Sequence, residues 1–470
     1  MKNLILLLVC SASCYFSNAQ DFTGIWKGVL EVQNTQLPLI FKIRKTDSVY
    51  ISTMDSPAQG AKDISVDNTL IKDSTVIFSI KNLGLSYKGT IKKSNSISGI
   101  FRQGGTILSL DLVKKADSKR VNRPQEPISP FPYRNEIVSF QNKEGINLSG
   151  TLSFPSEIDK TIPIVILISG SGPQNRDSEV FGHKPFLVIT DYLVKNKMGV
   201  LRFDDRGVGQ SQGDFAKATT QDFANDVASA VDYLSSRKDV NFKEIGLIGH
   251  SEGGIIASMV ANKRDAVDFI ILLASPGLKG KELLLSQSEA LLKKNGMSNI
   301  EIAKIDKINR KSYSYIERIK ETNKLKKKLK SHLQNALKKY NFLYQKPTQI
   351  SDEEFIDNLV NQMSSPWFIF FVKYNPENDL KKVKCPVLAI NGENDLQVLP
   401  YKNLIAIDKA LSRGKNKNYT IKTIPDLNHL FQESETGLPI EYQKIEQTFS
   451  PKVLKLMVDW IKENKVFTIK

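Results

Sequence analysis

Five consecutive residues, Gly249-His250-Ser251-Glu252-Gly253, carry the pattern Gly-x-Ser-x-Gly between the apolar run Ile245-Gly246-Leu247-Ile248 and the helical stretch Ile255 to Val260. A serine on so tight a strand-to-helix turn must take a strained backbone, and glycine two residues to either side lets strand and helix approach closely enough to form it. The Ser251 hydroxyl would then project above a sheet edge with the positive end of a helix behind it. That position suits a nucleophile whose reaction develops negative charge.

A serine hydroxyl is a poor nucleophile until a base takes its proton. The chain offers four histidines, His183, His250, His332 and His429. In the strand, turn and helix setting of this motif the partners follow in the order serine, acid, histidine, which discards His183 and His250. His250, within the motif itself, reads as a packing or hydrogen-bonding residue. His332 lies in lysine-rich helical text and reads as a solvated position. His429, in Ile424-Pro425-Asp426-Leu427-Asn428-His429-Leu430, follows the last strand on a loop able to swing it over Ser251.

The base in turn needs an acid to fix its tautomer and stabilise the imidazolium. The turn Asn391-Gly392-Glu393-Asn394-Asp395 follows a strand ending at Ile390, and Asp395 is the candidate, with Glu393 the alternative and Asp426 too near His429 in the chain. A tetrahedral oxyanion needs two backbone N–H groups. One is assigned to Glu252, the residue after the nucleophile. The other is assigned to Ser171, in the loop Ser169-Gly170-Ser171-Gly172-Pro173 after the strand Ile164 to Ile168. Read instead as a dinucleotide fingerprint, this loop lacks its third glycine, where Asn175 stands, and Pro173 obstructs the helix start. The chemistry calls for no cofactor and no metal.

These residues need a scaffold of buried strands. Gly199 to Phe203, Phe269 to Ala274, Val387 to Ile390 and Tyr419 to Ile424 join the two strands already named, several as continuous apolar runs of the kind a parallel sheet covered on both faces requires. Helical spacing lies between them, as in Phe223, Val227, Val231 and Leu234, and in Val453, Met457 and Ile461 after the start signal Ser450-Pro451. Ile137 to Phe140 and Leu148 to Phe154 read as a leading hairpin. The alternation is interrupted over about 278–380 by Leu/Ile/Lys/Glu-rich helical text, an insertion that would sit as a cap above the sheet's carboxyl edge.

The chain before the sheet has a different texture. Over 21–115, alternating sets such as Leu37, Leu39, Phe41 and Ile43, or Val76, Phe78 and Ile80, predict a small all-β barrel or sandwich. Its opening, Gly24-Ile25-Trp26-Lys27-Gly28, resembles the start of lipocalin-like barrels, although Trp26 reads equally well as a core aromatic. Prolines 124, 127, 130 and 132 mark a linker at 116–133, and the catalytic domain is assigned to 134–470. Residues 1–19 read as a signal peptide, with Lys2, the apolar run Leu4 to Cys10, and Ser17-Asn18-Ala19 before a cleavage site. Lipoprotein processing at Cys14 is the weaker alternative. Cleavage would leave Cys385 as the mature chain's single cysteine, read as a buried strand thiol, and would place the protein in the periplasm or outside the cell.

From about Ile137 to Ile461 the chain resembles the α/β-hydrolase superfamily, specifically bacterial esterase-like and serine-aminopeptidase-like members, in Gly170-Ser171-Gly172-Pro173, in Arg202-Phe203-Asp204-Asp205-Arg206-Gly207-Val208-Gly209 and in the turn at Ser251. The resemblance implies a Ser251-Asp395-His429 triad and an acyl-enzyme that water hydrolyses. It departs from many relatives in having Ser169-Gly170 where they have His-Gly. The Arg202 to Gly209 segment reads as a structural turn with an internal ion pair.

The 470 residues are 40% hydrophobic and 25% charged, which excludes disordered, collagen-like and multi-span membrane chains. The net charge of +16 is local. Between Lys293 and Lys346 stand 16 basic and 4 acidic residues, against 50 and 46 elsewhere. Tyr313, Tyr315 and Tyr340 are too sparse among these lysines for a nucleic-acid reader, so the basic insertion reads as a solvated face or as a surface for anionic substrates or membranes. Three functions follow in order: an exported serine hydrolase of small esters or acylated substrates, a peptidase with the same triad, and a non-catalytic protein binding an envelope ligand. Oligomeric state is left open.

Overall fold

The computed structural model describes residues 22–32, 35–46, 49–57, 61–93, 95–114, 122–157, 161–239, 242–340 and 351–464. The expected signal segment lies outside them. Nine strands, β1 (Gly24–Val32), β2 (Thr35–Thr46), β3 (Val49–Ser56), β4 (Ala61–Ser65), β5 (Asn68–Lys72), β6 (Thr75–Ile80), β7 (Leu85–Lys93), β8 (Ser96–Gln103) and β9 (Thr106–Lys114), form one antiparallel sheet in the order β4-β3-β2-β1-β9-β8-β7-β6-β5. It curls into a half-barrel because every second residue is apolar and needs cover on the concave face. Val66 N–H donates to Ser52 O, and the hydroxyls of Ser52 and Thr69 lie 2.5 Å apart, so the two edges approach each other. Trp26 is fully buried and donates Nε1–H to Phe22 O at 2.7 Å, a core aromatic.

Eight further strands, β10 (Arg134–Gln141), β11 (Asn147–Phe154), β12 (Ile162–Ile168), β13 (Gly199–Phe203), β14 (Phe242–His250), β15 (Phe269–Leu273), β16 (Val387–Gly392) and β17 (Tyr419–Ile424), make a second sheet in the order β10-β11-β13-β12-β14-β15-β16-β17. The β10–β11 hairpin and the β11–β13 pair are antiparallel; all other pairs are parallel. Strand β12 is apolar throughout and fully buried, as a strand covered on both faces must be.

Helices α1 (Pro185–Lys195), α2 (Thr220–Ser236) and α3 (Glu252–Ala261) connect the first strands. Six more, α4 (Gly280–Lys294), α5 (Asn299–Arg318), α6 (Thr322–Lys339), α7 (Asp352–Met363), α8 (Pro366–Lys373) and α9 (Glu377–Leu380), form the insertion between β15 and β16; α10 (Pro400–Arg413), α11 (Pro439–Tyr442) and α12 (Pro451–Glu463) complete the chain. One face of the sheet packs Val227, Ile256 and Ile407 of α2, α3 and α10. The opposite face packs Ile189 and Leu193 of α1 with Met457 and Ile461 of α12. Each such side chain contributes about 1.5–3 kcal/mol on burial.

The insertion has its own core, in which Leu325, Leu329, Leu333 and Leu337 form a four-residue-spaced seam on α6 against Ile356 and Val360 of α7. Its lysines are left on the solvent side, with Lys324, Lys327, Lys328, Lys338 and Lys339 exposed. The half-barrel touches this cap: Arg102 pairs with Glu354, and Gly105 (φ 87°) lies where a Cβ would stand 1.9 Å from Asn358 O. The described part of the proline-rich stretch is docked on the elements around the second sheet. There Arg123 donates to Gly182 O and Gln443 O, and Gln125 bonds Thr448 and Phe449. Among the described residues no helix is long and apolar enough to cross a membrane.

Candidate active site

The turn from β14 to α3 holds Ser251 at φ 55°, ψ −122°. An L-residue reaches that conformation only under constraint. Ser251 N–H donates to Leu273 O at 2.8 Å and Gly254 N–H donates to Ser251 O at 2.9 Å, bracing the turn from both sides. Glycine is required around it: a Cβ on Gly249 would sit 2.1 Å from Gly253 O, one on Gly253 2.2 Å from Ile168 O, and one on Gly170 3.1 Å from Ser251 Cβ.

Asp395, in the turn after β16, is 1% exposed. Its Oδ1 accepts the N–H groups of Gln397 (2.8 Å) and Val398 (2.9 Å), and its Oδ2 accepts Asn391 Nδ2–H (3.1 Å) and His429 Nδ1–H (2.8 Å). A carboxylate only accepts, so this contact places the imidazole proton on Nδ1 and leaves Nε2 with a lone pair. Glu393 is exposed; the carboxylate that meets His429 is that of Asp395.

The loop carrying His429 is set by Asn428, whose Oδ1 accepts the N–H of Leu430 (2.9 Å) and Gln432 (3.0 Å). His250 buttresses it from below, donating Nε2–H to His429 O at 2.8 Å with ring centroids 4.8 Å apart. Burial, reinforced by the His429 charge, pushes His250 down to about 3, so it stays neutral and acts as a prop.

The residues assigned to the oxyanion converge. Ser171 and Glu252 both border the cavity that contains Ser251 and His429, and neither backbone N–H has an acceptor among the described residues. The Glu252 side chain does something the sequence did not announce. It is 2% exposed, and its carboxylate accepts Ser171 Oγ–H (2.6 Å), Thr220 Oγ–H (2.6 Å) and Trp367 Nε1–H (2.9 and 3.1 Å). One carboxylate thus ties the oxyanion loop, the start of α2 and the cap helix α8 to the nucleophile turn. Burial among neutral donors raises its pKa, against the opposing effect of these hydrogen bonds.

Asp205 anchors the oxyanion loop at both ends, accepting Ser169 Oγ–H (2.8 Å) and Gln174 N–H (3.0 Å), and burial pushes it up to about 8. The Ser169 hydroxyl therefore anchors this loop. The rest of the Arg202 to Gly209 segment is scaffolding: Asp204 binds Arg176, Arg206 binds Asp226 at 2.7 Å, and Arg202 pairs with Asp177. The remaining histidines are structural as well. His183 bonds Thr448 and Tyr442 O, with burial pushing it down to about 4, and His332 bonds Ile308 O inside the cap. Cys385 is partly buried, just before β16, and burial pushes its thiol up to about 12.

The cavity beside Ser251 measures about 280 Å³. Its walls are mostly apolar, including Phe181, Phe186, Leu283, Trp367, Phe371 and Leu430, with amides from Gln174, Gln287 and Gln397. Glu252 is the single carboxylate among the described lining residues. No group of three or more potential metal ligands occurs among the described residues.

A parallel sheet with a strained serine turn at one strand end, an Asp–His pair at two others and a helical cap above them defines an α/β-hydrolase. The chain belongs to the family described as serine aminopeptidase, S33, whose match covers residues 184–435. Among curated relatives, Esterase EstD of Thermotoga maritima is 25% identical over 311 residues, 65% of this chain and 64% of that esterase. Among solved structures, an esterase of Pyrococcus furiosus is 16% identical with a TM-score of 0.43, covering 74% of this chain and 99% of its own. A proline iminopeptidase of Mycobacterium smegmatis is 12% identical with a TM-score of 0.42, covering 71% and 99%.

Replacing Glu252 tests its role as a tie. In Glu252→Ala three donors lose their acceptor, and thermal or urea unfolding should register a loss of roughly 1–3 kcal/mol for each left buried and unpaired. Glu252→Gln should recover most of that loss, because one of the two hydroxyls can turn to accept from the amide NH2 while the amide oxygen keeps the other hydroxyl and the Trp367 N–H. Equal stability of wild type and Glu252→Ala would remove the tie.

Proposed function

We propose that the protein is an exported serine hydrolase of small carboxylic esters. The observation that carries the choice of ester is the lining of the cavity beside Ser251. An aminopeptidase must hold the free ammonium of its substrate, which needs a carboxylate or a group of carbonyls with spare acceptor capacity. Glu252, the single carboxylate among the described lining residues, is already committed to Ser171, Thr220 and Trp367. An apolar acyl group and a neutral leaving group suit these walls better. The volume, about 280 Å³, lies just below the range of ligand pockets, about 300 to 1,000 Å³, so short acyl chains are preferred.

In this reading the Ser251 oxygen attacks the ester carbonyl carbon while His429 Nε2 takes its proton. The carbonyl oxygen becomes an oxyanion facing the N–H groups of Ser171 and Glu252, each such donor contributing on the order of 10²–10³ in rate. Collapse breaks the bond to the leaving oxygen, which takes the proton from His429, and leaves an acyl-enzyme on Ser251. Water, deprotonated by His429, attacks the acyl carbon and returns the free serine. Asp395, holding the Nδ1 proton, stabilises the imidazolium in both halves. Export rests on the N-terminal pattern of residues 1–19. The exposed lysines of α6 give the cap a face suited to an anionic surface.

A panel of p-nitrophenyl esters from acetyl to palmitoyl, together with aminoacyl p-nitroanilides, tests this on wild type and Ser251→Ala. Turnover should be Ser251-dependent, fastest on short esters and slow on every anilide; faster cleavage of an aminoacyl anilide would move the protein to the peptidase reading. In Asp395→Asn the imidazole is left in the wrong tautomer, and kcat should fall on the order of 10⁴-fold. Near-normal kcat would take the acid role from Asp395.

A further inference from the structure

From Asn299 to Lys339, helices α5 and α6 and the turn between them hold 13 basic residues and 4 acidic ones. Packing decides which way each points. On one flank of α5, Glu317 meets Lys281 of α4 at 2.9 Å; on the other, Ile308 O lies 3.1 Å from Nε2 of His332 on α6; on the inner side the rings of Tyr313 and of Phe368 on α8 are 5.9 Å apart. On the far flank of α6, Lys330 reaches Asp357 of α7 at 2.7 Å, and the seam from Leu325 to Leu337 takes the inner side. The remaining sector of each helix faces solvent. At about 3.6 residues per turn it carries Ile300, Lys307, Lys311 and Arg318 on α5 and Lys324, Lys327, Lys328 and Lys338 on α6, all exposed.

The acids of the two helices do not neutralise this face. Glu301 is held in the capping box of Ser298, Asp306 pairs with Arg310, Glu317 pairs with Lys281, and Glu321 accepts the N–H groups of Asn323 and Lys324 at the start of α6. The seven cations of the outer sector have no ion-pair partner among the described residues, and Glu321, exposed at the turn, is the acid that shares their surface.

Three features select a partner for the face. Six of the seven cations are lysines, which meet phosphates as point charges and demand no fixed geometry. Tyr313 is buried, Tyr315 packs edge-on against His332, and Tyr340 lies beneath Lys304 and Lys339, so a nucleic-acid base finds no free ring to stack on. Ile300, 70% exposed on the same stripe as Lys307 and Lys311, adds apolar surface beside the charges, the pairing of groups that an interface between head groups and acyl chains accepts.

We infer that the outer face of α5 and α6 docks on an anionic phospholipid bilayer, with its lysines and Arg318 at the level of the phosphates and Ile300 at the edge of the hydrocarbon. Each such cation near an anionic membrane strengthens binding about fivefold, and the attraction fades over about 10 Å at 0.1 M salt. The claim stands whether or not Ser251 acts on esters.

The test uses the chain from Gln20 to Lys470, the expected product of signal cleavage, and vesicles of dialkyl ether phosphatidylcholine with and without dialkyl ether phosphatidylglycerol, which ester hydrolysis cannot consume. Cosedimentation should be at least tenfold stronger with phosphatidylglycerol present and should be lost in high salt. Lys324→Gln, Lys327→Gln, Lys328→Gln and Lys338→Gln combined should weaken it at least tenfold. Lys382→Gln, Lys409→Gln, Lys417→Gln and Lys422→Gln combined, which remove the same charge from exposed positions around the second sheet, should leave most of it. An environment-sensitive dye on Ile300→Cys, in a Cys385→Ser background, should shift to the blue on these vesicles and one on Lys409→Cys should not; this readout keeps the lysine face intact. Equal binding to pure phosphatidylcholine, or equal losses in the two quadruple variants, would overturn the face as the docking surface. An unshifted dye at position 300 would overturn contact with the bilayer, and binding of a single-stranded oligonucleotide as tight as that of the anionic vesicles would move the face to nucleic acid.

Discussion

Everything in the catalytic half of this protein depends on how closely the end of β14 can approach the start of α3. The turn at Ser251 exists because Gly249 and Gly253 leave no side chain where their neighbours' carbonyl oxygens lie 2.1 and 2.2 Å from an imagined Cβ. Gly254 must likewise leave room for Ser275, and Gly170 for Ser251 itself. With these contacts made, the serine backbone has a single place to go, at positive φ, and the sheet on either side holds it there. The same approach sets Glu252 N–H at the helix start and brings the loop after β12 alongside it.

A strained turn needs a rigid surround, and here the surround is built from buried acids. Glu252 gathers donors from the oxyanion loop, α2 and the cap; Asp205 clamps both ends of that loop; Asp395 accepts four hydrogen bonds from its own turn and from His429. Each pays for its burial with hydrogen bonds, since an unpartnered buried carboxylate would cost several kcal/mol. The arrangement joins the cap helix α8 to the turn at Ser251 and to Ser171 through Glu252 and Trp367.

Much of this was legible in the sequence, for local reasons. The serine turn is a contiguous motif, Asp395 follows an apolar run, and His429 follows the last strand of the same sheet. The strand Gly199–Phe203 has the expected bounds, because a buried run ends where polar residues resume; Tyr419–Ile424, an edge strand with no buried residue, has them through its alternation of polar and apolar residues. The side-chain role of Glu252 was not legible: its partners lie 81, 32 and 115 residues away, and no periodicity relates them. His250 could be set aside as a base by chain order, but its bond to the carbonyl of His429 required the fold.

The ester reading requires that Ser251 become covalently acylated with His429 as its base. Rapid mixing of wild type with p-nitrophenyl butyrate, followed by acid quench and peptide mass analysis, tests it most directly. That chemistry should give a burst approaching one nitrophenolate per chain and a butyryl mass on the peptide containing Ser251, both lost in His429→Ala. Steady hydrolysis of the ester by the wild type with an acyl mass on a residue other than Ser251, or an undiminished burst in His429→Ala, would contradict it.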